Sequence, residues 1–413
     1  MSNLEQELQK NVANFINIDA NRKVYTQHYN TLRDTIYSTL KSEEAPICKW
    51  LCGHKLGGSY GDNLKITKPD EFDLVIYLKF PENDRIIVKK DPRKPGNVTL
   101  DMTEVLNILH NQTQHKTTFT NLKKIVSANN LLLEDKLQDM ICGAFTRALN
   151  KMGSKIIVDG RPSKIVYKRC GPAHTVFINE PNMKYSVDFV PAVRLSAQQN
   201  VLGAEQLKYF QNIQYWDAIP KPLKPQQTNN ISFRASYYEA EKEMLKDKEK
   251  LKIVIKLMKK FRDSKPNMNN IKSYYIKTLL LWQIKSRPAT YWRQKKLSEI
   301  LIDMFDALAK CLAVSRRNGK LPFFWDPNLD MFAAFTQNQR TSMYDCVVSE
   351  HYTLMRAAGN LTSDISQNVQ SSFSSREERG EPQRRPKNGQ AGNRQPDAAP
   401  KEQPQPASNC LIA

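Results

Sequence analysis

No stretch of this 413-residue chain is long and apolar enough to cross a bilayer. No secretory leader pattern opens it, and no internal repeat runs along it. Cysteine is not used as a framework: seven thiols without a leader point to a reducing cytosol and to buried, reduced side chains. Cys48, Cys52 and His54 lie close in sequence, but their spacing fits no common zinc module and no fourth ligand is evident. Acidic residues are also short. There are 42 Asp and Glu against 62 Lys and Arg, a formal net charge of +20. Such an excess favours a polyanionic partner, nucleic acid or an anionic membrane. It is spread over Arg22, Lys23, Lys89, Lys90, Arg93, Lys94, Lys164, Lys168 and Arg169, and triphosphate substrates would draw on the same charge.

The segment Gly57–Pro81, GGSYGDNLKITKPDEFDLVIYLKFP, carries the densest chemistry. Gly57 and Gly58 can adopt positive φ and present backbone N–H groups to an anion. Ser59 adds a hydroxyl for a phosphate oxygen. Glu71 and Asp73 then open an apolar strand, and at i and i+2 they share one face. Hard carboxylate oxygens suit Mg²⁺, and two such ions can stabilise the attacking and leaving oxygens of an in-line displacement. A glycine hairpin before a solvated strand end has the same spacing.

A second strand, KYSVDFVPAVRL, Lys184–Leu195, holds Asp188 in its middle. Ser186, Asp188 and Val190 share a face; a charged residue inside an apolar strand is costly unless it is paired, metal-bound or on a wet face. An Arg or Lys would serve as well as a metal.

Together, Gly58-Ser59, Glu71-x-Asp73 and the distal Asp188 resemble the metal triad of the nucleotidyltransferase superfamily. The stretch GSYGDNLKITKPDEFDLVIYL is similar, almost residue for residue, to the signature of the cyclic GMP-AMP synthase-like receptors of the Mab-21 family. Three further segments resemble that family. RASYYEAEKEML implies that Arg234, Ser236, Tyr238 and Glu241 line a nucleotide pocket, Arg234 as a clamp for a phosphate or a base edge. Lys252, Lys256 and Lys259 fall on one helical face opposite Val254, Leu257 and Phe261. By the resemblance Lys259 holds ATP phosphates, while Lys242, Lys252 and Lys256 face nucleic acid. KSYYIKTLLLW implies that Ser273 and Tyr274 bind and stack the donor base, with Lys277 beside them and Tyr275 in the core. The bland readings are a surface ion pair for Arg234, a solvated face for the lysines and a core position for the tyrosines.

One departure matters. Lys246–Lys252, KDKEKLK, joins two of these elements directly, with no His or Cys, where the vertebrate DNA sensor of the family has a zinc-binding insertion. The resemblance is therefore to the insect-type receptors without a zinc thumb, and no zinc is expected. Double-stranded RNA becomes the expected activator ahead of DNA, read by phosphates and 2′-hydroxyls.

The resemblance implies an α+β, bilobal nucleotidyltransferase fold. Residues 1–44 read as one amphipathic spine helix, with Leu4, Leu8, Val12, Phe15 and Ile16 near helical spacing. Residues 45–204 form the mixed-sheet catalytic core, 205–362 a helical lobe, and 363–413 a disordered tail rich in Ser, Pro, Gln and Arg. Cys410-Leu411-Ile412-Ala413 matches a prenylation box, so Cys410 is a candidate for a farnesyl group and for membrane contact. The implied activity is nucleic-acid-gated synthesis of a cyclic dinucleotide, cyclic GMP-AMP with 2′3′ or 3′2′ linkage, from ATP and GTP with two Mg²⁺ or Mn²⁺ ions. Glu71, Asp73 and Asp188 are the expected ligands, in a cytoplasmic enzyme for which a ligand-induced dimer is expected. A linear oligoadenylate-type synthase and a non-catalytic Mab-21 scaffold are the alternatives.

Overall fold

The computed structural model describes residues 3–17, 22–66, 68–314, 319–361 and 364–374. Its helices are α1 (Asn3–Ile16), α2 (Arg22–Ser42), α3 (Pro46–Lys49), α4 (Gly58–Gly61), α5 (Thr103–His110), α6 (Lys116–Lys123), α7 (Glu134–Lys151) and α8 (Ala204–Leu207). They continue with α9 (Tyr238–Met244), α10 (Glu249–Ser264), α11 (Ser273–Ser286), α12 (Ala289–Gln294), α13 (Leu297–Leu312), α14 (Gln337–Ala358) and α15 (Ile365–Phe373).

A ten-stranded sheet forms the first lobe. Its strands are β1 (Leu51–Leu56), β2 (Glu71–Leu78), β3 (Ile87–Lys90), β4 (Asn97–Asp101), β5 (Lys155–Val158), β6 (Arg161–Cys170), β7 (Ala173–Glu180), β8 (Met183–Ser196), β9 (Tyr215–Ile219) and β10 (Phe233–Ser236). They run in the order β3-β4-β10-β9-β8-β7-β6-β5, and β2 joins through β1 and β8. Every pairing is antiparallel except β2 with β8. That parallel pair aligns the two carboxylate-bearing strands.

Strand β2 is buried almost throughout because its Phe-x-Leu-Val-Ile-Tyr-Leu run is covered on both faces. Its Phe72, Leu74, Ile76 and Leu78 join Tyr29, Leu32, Ile36 and Leu40 of α2 in the core of the sheet lobe. The helical lobe has its own core, built on α10, α11, α13 and α14.

The expected single spine is two helices, and they serve different cores. Leu4, Leu8, Phe15 and Ile16 of α1 pack into the helical lobe, while α2 packs on the sheet. The sequence between them, Asn17-Ile18-Asp19-Ala20-Asn21, is rich in Asn and Asp, whose side chains compete for backbone hydrogen bonds inside helices. Residues 18–21 lie outside the described residues.

Two further expectations change. The sheet does not end near residue 204: β9 and β10 complete it, pairing with β8 and β4. The expected tail begins with an ordered element, α15. Asp364 caps it by accepting from Gln367 N at 2.8 Å, and Val369 and Phe373, one turn apart, are buried. Phe373 meets Phe15 of α1 at a 5.8 Å ring separation. Residues 375–413, including the candidate Cys410, lie outside the described residues.

Candidate active site

A cleft of about 680 Å³, counting its open mouth, lies between the sheet and the helical lobe. Its lining combines apolar Leu64, Val75, Ile219 and Ile255 with polar and charged side chains. Of the residues named from sequence, Gly57, Gly58, Ser59, Ser236, Tyr238, Glu241, Lys259, Ser273, Tyr274 and Lys277 all line it. Residues far apart in the chain therefore meet in one cleft, while Glu71, Asp73, Asp188 and Arg234 are not part of its lining.

The glycine turn is fixed to β2 by Gly57 N, which donates to Asp73 O at 2.8 Å. Gly58 has φ +57°, and a Cβ there would overlap the Asp73 carboxylate. Glycine is required twice over, for backbone conformation and for close approach. Asp73 therefore lies directly behind the turn.

Register then brings Asp73 opposite Asp188 and Glu71 opposite Ser186 across the parallel β2–β8 pair. All four side chains project from one face. The carboxylates do not converge as a ready-made cluster: among the described residues no group of three His, Cys, Asp or Glu side chains does so. Lys65 lies 3.3 Å from Glu71 Oε2, and Thr175 Oγ1 donates to Asp188 Oδ1 at 2.6 Å. Like charges repel at short range, and the Glu71 and Asp188 carboxylates take separate partners. Hard carboxylate oxygens on one face of two paired strands are the donor type that divalent cations take.

The cleft lysines differ. Lys259 of α10 is 4% exposed and donates to Leu64 O at 2.8 Å. Burial, with Arg262 and Lys65 nearby, pushes it down to about 7. Burial alone would also lower Lys277, but the carboxylates of Asp62 and Glu241 outweigh it and hold Lys277 well above the usual lysine range.

Several assignments need correction. Arg234 is half-buried and does not line the cleft. Its guanidinium donates to Gly96 O at 3.4 Å and lies 5.8 Å from the Phe323 ring. It shares the Ser236 face of β10, two residues before it in the strand, and there its partners are Gly96 and Phe323. Tyr274, not Tyr275, is the deeper tyrosine: its hydroxyl donates to Glu241 Oε1 at 2.6 Å, while Tyr275 packs half-buried near Phe332 and Phe335. Helix rotation separates the expected lysine stripe. Lys259 turns into the cleft, whereas Lys252 pairs with Glu249 at 2.7 Å and Lys256 is half-buried near the Arg22 charge. Lys242 is exposed on α9. Of the two nearby thiols, Cys48 is buried as expected but Cys52 is exposed.

Asp62 and Asp217 also line the cleft, and neither was singled out from sequence. Asp62 lay inside the quoted glycine motif. Asp217, in the apolar strand Tyr215–Ile219, carries the same signal that marked Asp188, a carboxylate within a buried strand. Burial pushes Asp217 up to about 6 despite Arg194 Nε at 3.3 Å.

A glycine turn over in-register strand carboxylates, beside a cleft with a buried lysine, defines a nucleotidyltransferase. Residues 60–247 match the Mab-21 protein nucleotidyltransferase domain, and residues 250–349 match the Mab-21 protein HhH/H2TH-like domain. The chain belongs to the Mab-21 family. It is 50% identical over 372 residues to Cyclic GMP-AMP synthase-like receptor 1 of Drosophila simulans, covering 90% of this chain and 94% of the relative. The protein of the same name from Drosophila melanogaster is also 50% identical, with 90% and 97% covered. A Cyclic GMP-AMP synthase-like receptor of Lucilia cuprina is 43% identical, with 89% and 96% covered.

Proposed function

We propose that this nucleotidyltransferase is a cytoplasmic sensor of nucleic acid, double-stranded RNA ahead of DNA, that joins ATP and GTP into cyclic GMP-AMP for antiviral signalling. The observation that carries this reading is the single cleft in which the glycine turn, Lys259 and the donor-base residues Ser273 and Tyr274 meet, with Asp73 directly behind. The names and coverage of the relatives support the same product class.

Gly57, Gly58 and Ser59 hold the donor triphosphate, and Lys259 meets its charge. A ribose hydroxyl of the acceptor forms a bond to the α-phosphorus, the bond to pyrophosphate breaks, and Asp188 takes the hydroxyl proton. Glu71, Asp73 and Asp188 would hold two Mg²⁺ or Mn²⁺ ions, which when bound supply charge neutralisation at the phosphates. The remaining contribution is placement of two nucleotides in a site shielded by both lobes. A second round closes the ring. A basic face with Lys242, Lys252 and Lys256 receives the activator, and activator binding pairs two copies. Farnesylation of Cys410 adds membrane contact.

The test is purified full-length protein with ATP, GTP and Mg²⁺ or Mn²⁺, with and without double-stranded RNA or DNA, and products resolved by mass. A cyclic product that depends on RNA is expected, with loss of about a thousandfold or more in Glu71→Ala or Asp73→Ala. A linear ladder would favour the oligoadenylate class, and no product under any activator would favour a scaffold.

A further inference from the structure

Lys277 and Lys259 both reach the cleft, but their surroundings assign them different work. The Lys277 ammonium lies 2.8 Å from Asp62 Oδ2 and 2.7 Å from Glu241 Oε2, with side chains 9%, 4% and 4% exposed respectively. Glu241 Oε1 also accepts from Tyr274 Oη at 2.6 Å and from Trp325 Nε1 at 3.0 Å. Asp62 directly follows the glycine turn and caps α4, its backbone N donating to Gly58 O. One buried network therefore spans the glycine turn, α9, α11 and the segment bearing Trp325. Lys259, by contrast, donates to a backbone carbonyl, and among the described residues no carboxylate forms an ion pair with it.

The charges decide the division of labour. Asp62, Glu241 and Lys277 sum to a net negative group. A phosphate drawn onto Lys277 would have to displace both carboxylates and leave them buried without a counter-ion, which is strongly unfavourable. A phosphate drawn onto Lys259 displaces a neutral carbonyl and leaves no buried carboxylate unpaired.

We propose that Asp62 is a positioning residue whose ion pair with Lys277 locks the glycine turn onto α9 and α11. This rests on the reading of the cleft as a nucleotide site. It makes the ion pair the element that fixes where the turn presents its N–H groups, and it removes Lys277 from the phosphate ligands.

The test uses the full chain with four variants: Lys259→Met, Lys277→Met, Lys277→Arg and Asp62→Asn. Three quantities are measured: Kd for ATP and for AMP, kcat, and amide hydrogen exchange of residues 57–63 without nucleotide. Lys259→Met is expected to erase the preference for ATP over AMP by about tenfold or more. Lys277→Met and Asp62→Asn are expected to keep that preference within about threefold, yet to speed exchange of the turn and lower kcat by about a hundredfold. Lys277→Arg should restore slow exchange and part of kcat. Loss of the ATP preference in Lys277→Met would overturn the assignment, as would unchanged turn exchange in Asp62→Asn. If Lys277→Met fails to fold, Asp62→Asn carries both arms. A wild-type protein that binds no ATP would sink the nucleotide reading itself, while the exchange of Asp62→Asn would still decide whether the lock exists.

Discussion

Lys259 shows how burial sets chemistry at a single residue. Its ammonium form is disfavoured by burial and by the neighbouring Arg262 and Lys65 charges, which bring it down to about 7. A bound triphosphate stabilises the charged form, so binding takes up a proton whenever the pH lies above that value. ATP affinity should be full below pH 7 and fall about tenfold per unit as the pH rises through the interval between the free and bound values. Titrating ATP at pH 6 to 9 measures this, and Lys259→Arg, charged throughout, should flatten the profile. A flat wild-type profile would remove Lys259 from the phosphate site. Lys259 was legible in the sequence by its spacing; its separation from Lys252 and Lys256 was not, because 3.6-residue periodicity gives a face but not which edge of it meets a second lobe. Asp217 was missed because its strand is short, and Arg234 was misplaced because its position on β10 sets it against Gly96 and Phe323.

At the level of elements, α15 is the clearest departure from composition-based expectation. Its polar surroundings hide one turn in which Val369 and Phe373 are buried and Phe373 is wholly removed from solvent. Ser264 Oγ donates to Ser372 O at 3.0 Å, tying α15 to the end of α10. Truncating Phe373 to Ala should lower unfolding stability by about 3 kcal/mol, the usual cost of a buried aromatic, read by chemical denaturation. An unchanged midpoint would mean that α15 contributes no packing. The strands, by contrast, were readable. Alternation, the glycine turn and the apolar run of β2 were each visible, but the parallel pairing of β2 with β8 and its register were not, because face alternation within a strand does not name its neighbour. Domain limits were less so, because β9 and β10 return to the sheet after a long excursion, and such returns leave no local signal.

For the whole molecule the excess of positive charge is the dominant long-range property, at +20. Lys242 is exposed, and Lys252, Lys256 and Arg22 stand close together away from the cleft. If phosphates are the contact, affinity for a double-stranded RNA of fixed length should drop by about a thousandfold between 50 and 200 mM salt, followed by fluorescence anisotropy. The triple change of Lys242, Lys252 and Lys256 to Glu should flatten that slope while leaving ATP binding in the cleft intact. A slope unaltered by the triple change would move the interface elsewhere. The placement of α1 bears on the order of assembly. Its Leu4, Leu8 and Phe15 are buried against α10, α13, α14 and α15, and Glu5 accepts from Ser298 N at 2.8 Å across 293 residues of chain. On the ribosome this first helix therefore emerges without a partner and waits, apolar stripe uncovered, until the helical lobe has been translated. The sheet lobe can form meanwhile, so the newborn chain passes through a stage with one lobe folded and its leading helix open to chaperones.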